Sequence, residues 1–504
     1  MKTVTKLTRR QLLRASALAG TGALLAACAG GAAPAAPAAN NAPAATAAPA
    51  ASAATAAPQA TEAPKATEAP ATTEAAKPTE APAAASGGKV QVLMRQQYFK
   101  ELETEYQKQM QDYIKSTGAE GDVSTVNPEV FGDFMAKMQA AVSAGNPPDL
   151  AYHGNSVAQM FDLELTQDHS ALVDELVKAY GEIVPASAVR NAKFDDKWWS
   201  APHSSTTGAW YLRKDVADAA KVDPASLKLF QNRLDAAVKM SNPSKEMYGW
   251  GMTVNKSGDG HGLIQTAFQA FGGRAVDASG KKITFNSKET VDGVKWLAAI
   301  YSDKKYKDIL PPGVESWTDP SNNEAYLAGK IAMTTNALSI YAKSRNDKNP
   351  VFDKTALIPF PLTNDGKFEL NSGGNEWFSI FKGAKNTDAA KGIIKHFMDP
   401  KVFAPLSKLG GGLVMPAYKS GWTDDLLAYD ANFPNLKTTI FNPSDFTGFA
   451  YPAQTNAAID AWFATGFLSE MIGNVIQGKM TAEDAVADAT KKGATIFAEK
   501  GFPQ

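Results

Sequence analysis

Apolar positions along the chain change period several times after residue 88, and each change marks an element. VQVLM at 90–94 predicts a short buried strand, after which Phe99, Leu102, Tyr106, Met110 and Tyr113 recur at helical spacing as far as Gly118. A second strand is expected at 123–126, stopped by Asn127-Pro128. Phe131, Phe134, Met135, Met138 and Val142 make one helical stripe that ends at Gly145-Asn146-Pro147-Pro148, and 150–152 opens a third strand. Strand and helix alternating in this way predict an α/β lobe with a largely parallel sheet. Ligands collect in such lobes at the loops beyond the carboxyl ends of the strands, here Gln96-Gln97-Tyr98 and His153-Gly154-Asn155-Ser156.

The stretch 197–215, KWWSAPHSSTTGAWYLRKD, has two apolar ends and a polar, turn-prone middle, as expected of a chain that leaves one core and enters another. Beyond it the pattern restarts. Strands are expected at 208–212 and 248–254, helices at 227–240 and 263–271, and a small strand at Ile283 and Phe285. Asn286 to Glu289 reads as the capped start of a helix carrying Val291, Val294, Ala298 and Tyr301. The later chain crosses back, with a short strand at 331–333, a stretch at 357–361 that leads towards the polar break Asn364-Asp365-Gly366, an apolar run at 378–381, a helix at 388–397, and mostly helix from 457 to 498. Two α/β lobes joined by crossing segments are the economical reading.

The first 28 residues stand apart from this pattern. Lys2, Lys6, Arg9, Arg10 and Arg14 precede an apolar run at 15–27 that is too short to span a bilayer, as in an export signal. Arg9-Arg10 resembles a twin-arginine signal, and Leu25-Ala26-Ala27-Cys28 resembles a bacterial lipobox whose thiol receives the lipid. Cys28 is the only cysteine, so no disulfide forms within the chain. Residues 29–88 are nearly all Ala, Pro, Thr and Glu, with TEAP starting at Thr61, Thr67 and Thr79; nothing there can offset the entropy of ordering, and the segment reads as a linker. It would reach ~190 Å if extended and ~45 Å as a coil.

Residues 89–504 are too many for one ordinary core. They carry 48 acidic and 44 basic residues with no basic cluster, which argues against nucleic-acid binding. His153, His169, His203, His261 and His396 are too far apart in sequence to make helical zinc-ligand pairs, and no GxSxG occurs. Gly473 to Lys479 matches most of a phosphate-loop spacing, but Met480 stands where Ser or Thr would reach magnesium. NKSGDG at 255–260 resembles the start of a calcium loop, yet its twelfth position is Thr266. No metal or cofactor is expected. Trp198, Trp199, Trp210, Trp317, Trp377 and Tyr451 flank polar breaks, and Tyr98 lies in a loop. Any one could serve a core; as a set beside Asn, Asp and His they suit sugar rings and hydroxyls.

Several segments in order resemble the family-1 extracellular solute-binding proteins of ATP-binding-cassette importers. They are MQAAVSAGNPPD at 138–149, Ala201-Pro202 with 211–215, Phe271-Gly272-Gly273 with 283–287, AYLAGKIAM at 325–333, KGAKNTDAA at 382–390 and GKMTAEDA at 478–485. The resemblance implies a two-lobe periplasmic-binding-protein-like α/β fold, hinge closure on a ligand and no catalysis. It divides the chain into a signal at 1–28, a linker at 29–88, an N-lobe at 89–202 plus about 371–425, and a C-lobe at 203–370 plus about 426–504. It places contacts at His153 with Asn155 and in the region 336–339, while Ser339 and Thr206 stand where maltose-type members have Trp and Glu, which points away from maltodextrin. The candidate ligand contacts are Tyr98, His153, Asn155, His203, His261, Trp317, Asn336, Trp377 and Tyr451, and His153, His203, Asn336 and Trp377 are expected to face one cleft. The implied protein is a monomer, lipid-anchored through Cys28 on the outer face of the cytoplasmic membrane, that binds a sugar and serves permease subunits. A secreted polysaccharide-acting enzyme, which needs paired carboxylates in a cleft, and a cell-envelope scaffold are the other readings.

Overall fold

A computed structural model describes residues 88–126, 133–371, 373–423, 426 and 446–504. The signal, nearly all of the linker, Cys28 and Phe131 lie outside the described residues. In chain order the strands are β1 (Val90–Arg95), β2 (Gly121–Val126), β3 (Leu150–His153), β4 (Lys193–Phe194), β5 (Lys197–Trp198), β6 (Ala201–Thr206), β7 (Gly208–Arg213), β8 (Met333–Ala337), β9 (Thr355–Ile358), β10 (Gly374–Ile380) and β11 (Met415–Pro416). Six of them form one sheet in the order β11-β6-β10-β3-β1-β2. β1 runs parallel to β2 and β3, as the strand–helix alternation demands, and β10 inserts antiparallel between β3 and β6.

The helix Lys100–Ser116 buries Leu102, Tyr106 and Met110 of the stripe expected from the spacing, and Ile114 rather than the half-buried Tyr113 completes it. With Ile393, Ile394 and Phe397 of the helix Thr387–Met398 and Leu406 of Pro400–Gly410, these residues pack on the first sheet as one core. The second lobe is built on a three-stranded antiparallel sheet, β8-β7-β9. Its core joins Trp210, Trp250 and Phe268 to Ile459, Trp462 and Phe497 of the C-terminal helices Ala457–Ala464, Phe467–Ile476 and Ala482–Glu499. Each fully buried side chain of this size contributes about 1.5–3 kcal/mol, so the last fifty residues are integral to the lobe.

The first crossing between the lobes is one residue long. β6 belongs to the first sheet, β7 to the second, and Thr207 alone lies between them. Gly208 follows because a Cβ there would stand 2.6 Å from the Asn336 carbonyl oxygen on β8, so only glycine lets the two backbones approach.

Two expected strands are not formed. Residues 248–254 make only a bridge from Tyr248 to Ile331, and Ile283 only a bridge to Val276. At the first site the backbone is pressed into the core: a Cβ on Gly249 would meet the Ala237 carbonyl oxygen at 2.0 Å, and one on Gly251 the Ile331 side chain at 2.2 Å. The phosphate-loop match runs off the end of Phe467–Ile476, where carbonyls rather than N–H groups are presented. NKSGDG is a helix start, in which the Ser257 hydroxyl accepts from the Gly260 N–H at 3.1 Å. No cluster of three metal-ligating side chains occurs among the described residues, and no described helix is long and apolar enough to cross a membrane.

Three buried histidines lie in the first lobe. His153 accepts the Asn155 N–H on Nδ1 and bonds Ser379 through Nε2 at 2.8 Å; His169 bonds the Gln167 carbonyl through Nδ1 and accepts the Ile380 N–H on Nε2. Burial pushes His153 and His203 down to about 3 and His169 to about 4. Their folded values lie below the unfolded one, so the stability that depends on their neutral form is complete above pH ~6.5 and is lost as pH falls towards the folded values. We expect thermal unfolding followed by near-ultraviolet dichroism to show a melting temperature that drops steeply between pH 6.5 and 4. The loss at pH 4 is roughly 3 kcal/mol per histidine, and His203→Gln should soften it.

Candidate ligand-binding cleft

The carboxyl ends of β1 and β3 open onto a groove between the lobes, where the strand-end rule puts ligands. The groove has two adjoining chambers. The first, of about 590 Å³, is walled by Arg95 to Tyr98 after β1, by Asn375 and Glu376 of β10, and by Asp259, Asp319, Asn323 and Asn336 from the second lobe. The second, of about 520 Å³, is walled by Asn155, Arg190 and Trp377 on one side and by Phe446, Phe449, Tyr451, Asp460 and Phe463 on the other.

Glu376 anchors the floor of the first chamber. Its carboxylate pairs with the Arg95 guanidinium and accepts hydroxyls from Tyr152 and from Ser204, the latter at 2.9 Å. One buried charge therefore ties β10 to β1, β3 and β6 at the ends of those strands that face the cleft. Opposite it, Asp319 caps the helix Gly258–Ala270 by accepting the N–H groups of Gly258 and Asp259 at 3.2 and 2.9 Å. Asp259 accepts the side-chain amides of Asn322 and Asn336 at 2.9 and 3.1 Å on one oxygen. Burial, together with the nearby Asp319 charge, raises the Asp259 carboxyl to about 8.

The lobes also touch across the groove. The Asn323 amide donates to the Tyr98 hydroxyl at 2.7 Å, and the Ser156 hydroxyl donates to Asp460. The Gln454 amide donates to the Lys193 carbonyl at 2.6 Å, and Lys500 pairs with Asp162 at 2.5 Å. Burial raises the Asp460 carboxyl as well.

The family profile for bacterial extracellular solute-binding proteins matches residues 108–435, more than half of the chain. The chain belongs to this family. A search of curated proteins gives no match to this solute-binding protein. Among solved structures, a Thermotoga lettingae transporter solute-binding protein bound to α-D-tagatose is similar at 17% identity, TM-score 0.66, over 81% of this chain and all of that one. Maltose-bound MalE3 from T. maritima matches at 18% identity, TM-score 0.67, over 80% and 99%. An Agrobacterium radiobacter solute-binding protein with ribitol matches at 19%, TM-score 0.67, over 82% and 99%. The likenesses establish the two-lobe α/β fold.

Of the residues singled out from the sequence, Tyr98 and Asn336 line the first chamber of the solute-binding protein, and Asn155, Trp377 and Tyr451 line the second. The expected convergence of His153, His203, Asn336 and Trp377 does not occur. His203 is in the core: β6 is buried on both faces, so alternation aims the ring at Phe403 and Phe397, with the Tyr106 hydroxyl 2.9 Å from Nε2. His153 is covered by Phe134, whose ring centroid is 5.4 Å away. His261 is buried in its helix against Phe463, and Trp317 packs against the second-lobe cores. Neither lines a chamber.

Arg95, Glu376, Asp259 and Asp460 were not singled out. The signal for two of them was present as a charge at the end of VQVLMR and another beside the apolar run WFSI, since a charge in such a strand needs a partner. We expect Glu376→Gln, which leaves Arg95 without its counter-charge, to destabilise the protein by about 2 kcal/mol in urea unfolding, with Tyr152→Phe costing less.

Proposed function

We propose that the protein is the lipid-anchored receptor of an ATP-binding-cassette importer and that it captures a carbohydrate between its lobes. The observation that carries this reading is the inter-lobe groove, where aromatic faces stand beside carboxylates and amides. Tyr451 and Phe463 supply surfaces for sugar C–H groups, with the nearly buried Trp377 behind them in the wall, and Asn155, Asn323, Asn336 and Asp259 supply hydroxyl partners. The sugars and sugar alcohol bound by its structural neighbours support the same class. Within this reading Tyr98, Asn155, Asn336, Trp377 and Tyr451 are ligand contacts, and the lobes rotate about the crossing at Thr207 to close on the ligand for delivery to a permease.

The arginine pair and lipobox support export and a lipid on Cys28, with the linker giving the receptor freedom above the outer face of the membrane. The receptor acts as a monomer and catalyses nothing. An enzyme would need a working pair of carboxylates, but both oxygens of Asp319 are occupied by backbone N–H groups beside Asp259.

Tryptophan fluorescence and calorimetry across monosaccharides, oligosaccharides and polyols should show binding with a Kd in the micromolar range or tighter, weakened at least tenfold by Tyr451→Ala. Silence across the whole panel, or turnover of a glycan by the purified protein, refutes the reading. Cys28→Ser should move the protein from the membrane fraction to the soluble fraction of expressing cells; unchanged membrane retention refutes the anchor.

A further inference from the structure

Of the polar contacts that cross between the lobes, two take hold of the same short helix, Val157–Asp162, which follows β3 in the first lobe. At its start the Ser156 hydroxyl caps the helix by accepting the Gln159 N–H at 3.0 Å, and it donates its own hydrogen to the Asp460 carboxylate of the second lobe. At its other end Asp162 pairs with Lys500, just beyond the helix Ala482–Glu499. Between these points the helix packs against Ala457–Ala464, the second-lobe helix that carries Asp460. The other Asp460 oxygen accepts the Thr455 hydroxyl at 2.5 Å, so its own lobe fixes the carboxylate in the position from which it reaches across. One residue before Thr455, the Gln454 amide adds a third bond, to the Lys193 carbonyl. Beside the first chamber the lobes meet differently. Ala342 of the second-lobe helix Ser339–Asn346 sits in the first-lobe core, and a Cβ on Gly411 would stand 2.2 Å from its side chain. An apolar contact that close suits a permanent joint, whereas groups that part at Ser156 and Lys500 have water as an alternative partner. Ser156 and Asp460 line the second chamber and not the first.

We propose that Val157–Asp162 is a clasp: gripped at both ends by the second lobe, it holds the groove shut in the ligand-free protein, and a ligand enters only when it lets go. The proposal goes beyond the carbohydrate reading and does not depend on it. Fastening costs little order, because the Ser156 hydroxyl is already held as a helix cap and Asp460 is already held by Thr455. A contact made with and without ligand favours the closed form in both states, so it slows entry and exit alike rather than rewarding one ligand over another.

The test is a distance measurement between spin labels in the ligand-free full chain. Val177 and Val238 are exposed on helices that pack in the first-lobe and second-lobe cores respectively. Val177→Cys with Val238→Cys carries the labels, and Cys28→Ser removes the one native thiol. With the clasp intact, pulsed dipolar spectroscopy should give a single distance, that of this structure. Asp460→Ala, which takes the carboxylate from Ser156, and Lys500→Met, which releases Asp162, should each raise the population of a second distance by roughly fivefold or more, and the double substitution should make it the major one. Asp460→Asn keeps an oxygen to accept the Ser156 hydroxyl and should fall between. Lys492→Met breaks a pair with Glu470 inside the second lobe and should change nothing. Melting temperatures report on folding, and Lys500→Met carries the test if Asp460→Ala does not fold. A second distance that already dominates with the clasp intact, one distance that survives the double substitution, or equal opening by Lys492→Met overturns the clasp. No ligand is present, so silence across the sugar panel would refute the carbohydrate reading and leave this result standing.

Discussion

Thr207 is the whole of the distance between a strand of one sheet and a strand of the other. A connection that short leaves no slack: any rotation of the lobes must be absorbed by the dihedral angles of two or three residues, and β6 and β7 enter their sheets at positions fixed by each other. Gly208 sharpens the constraint, since the Asn336 carbonyl closes on it too tightly for any side chain. The first chamber of the groove lies directly beside this join, with Thr206, Thr207 and Gly208 in its wall.

Charge in the cleft is managed locally. Arg95 and Glu376 neutralise one another on the first-lobe wall, with Tyr152 and Ser204 filling the remaining lone pairs, which is how a buried ion pair avoids a large desolvation penalty. On the second-lobe wall Asp319 is spent on a helix start and Asp259 is held by amides. The result is a surface of fixed donors and acceptors rather than mobile charges. Such a surface suits a hydroxyl-rich ligand.

Periodicity made most of the fold legible. The stripe from Leu102 to Met110, the strand before it and the capped helix after Ser287 are all visible as spacing alone. It failed at 248–254, where Gly249 and Gly251 answer to neighbours distant in sequence, Ala237 and Ile331 respectively. In the cleft, strand-end loops led correctly to the neighbourhood of Tyr98 and Asn155, because that rule depends on topology. Residue type misled: His153 and His203 look like site residues and are core residues, since a neutral imidazole with a bonded nitrogen packs well against aromatic rings. Asp259 was hidden for the opposite reason, its partners Asn322 and Asn336 lying more than sixty residues further on.

β10 pairs with β3 on one side and β6 on the other, although it follows them by some 170 to 220 residues. Until residue 380 has been synthesised, β3 has an open edge and β6 has no neighbour on that side. The second lobe is likewise incomplete until Trp462 and Phe497 arrive. Neither lobe is therefore a contiguous folding unit, and the chain cannot be cut between β6 and β7 into two independent halves. Its native contacts close very long loops, the topology that folds slowly and leaves strand edges exposed meanwhile. Nearly the whole chain must therefore be present before either core is complete.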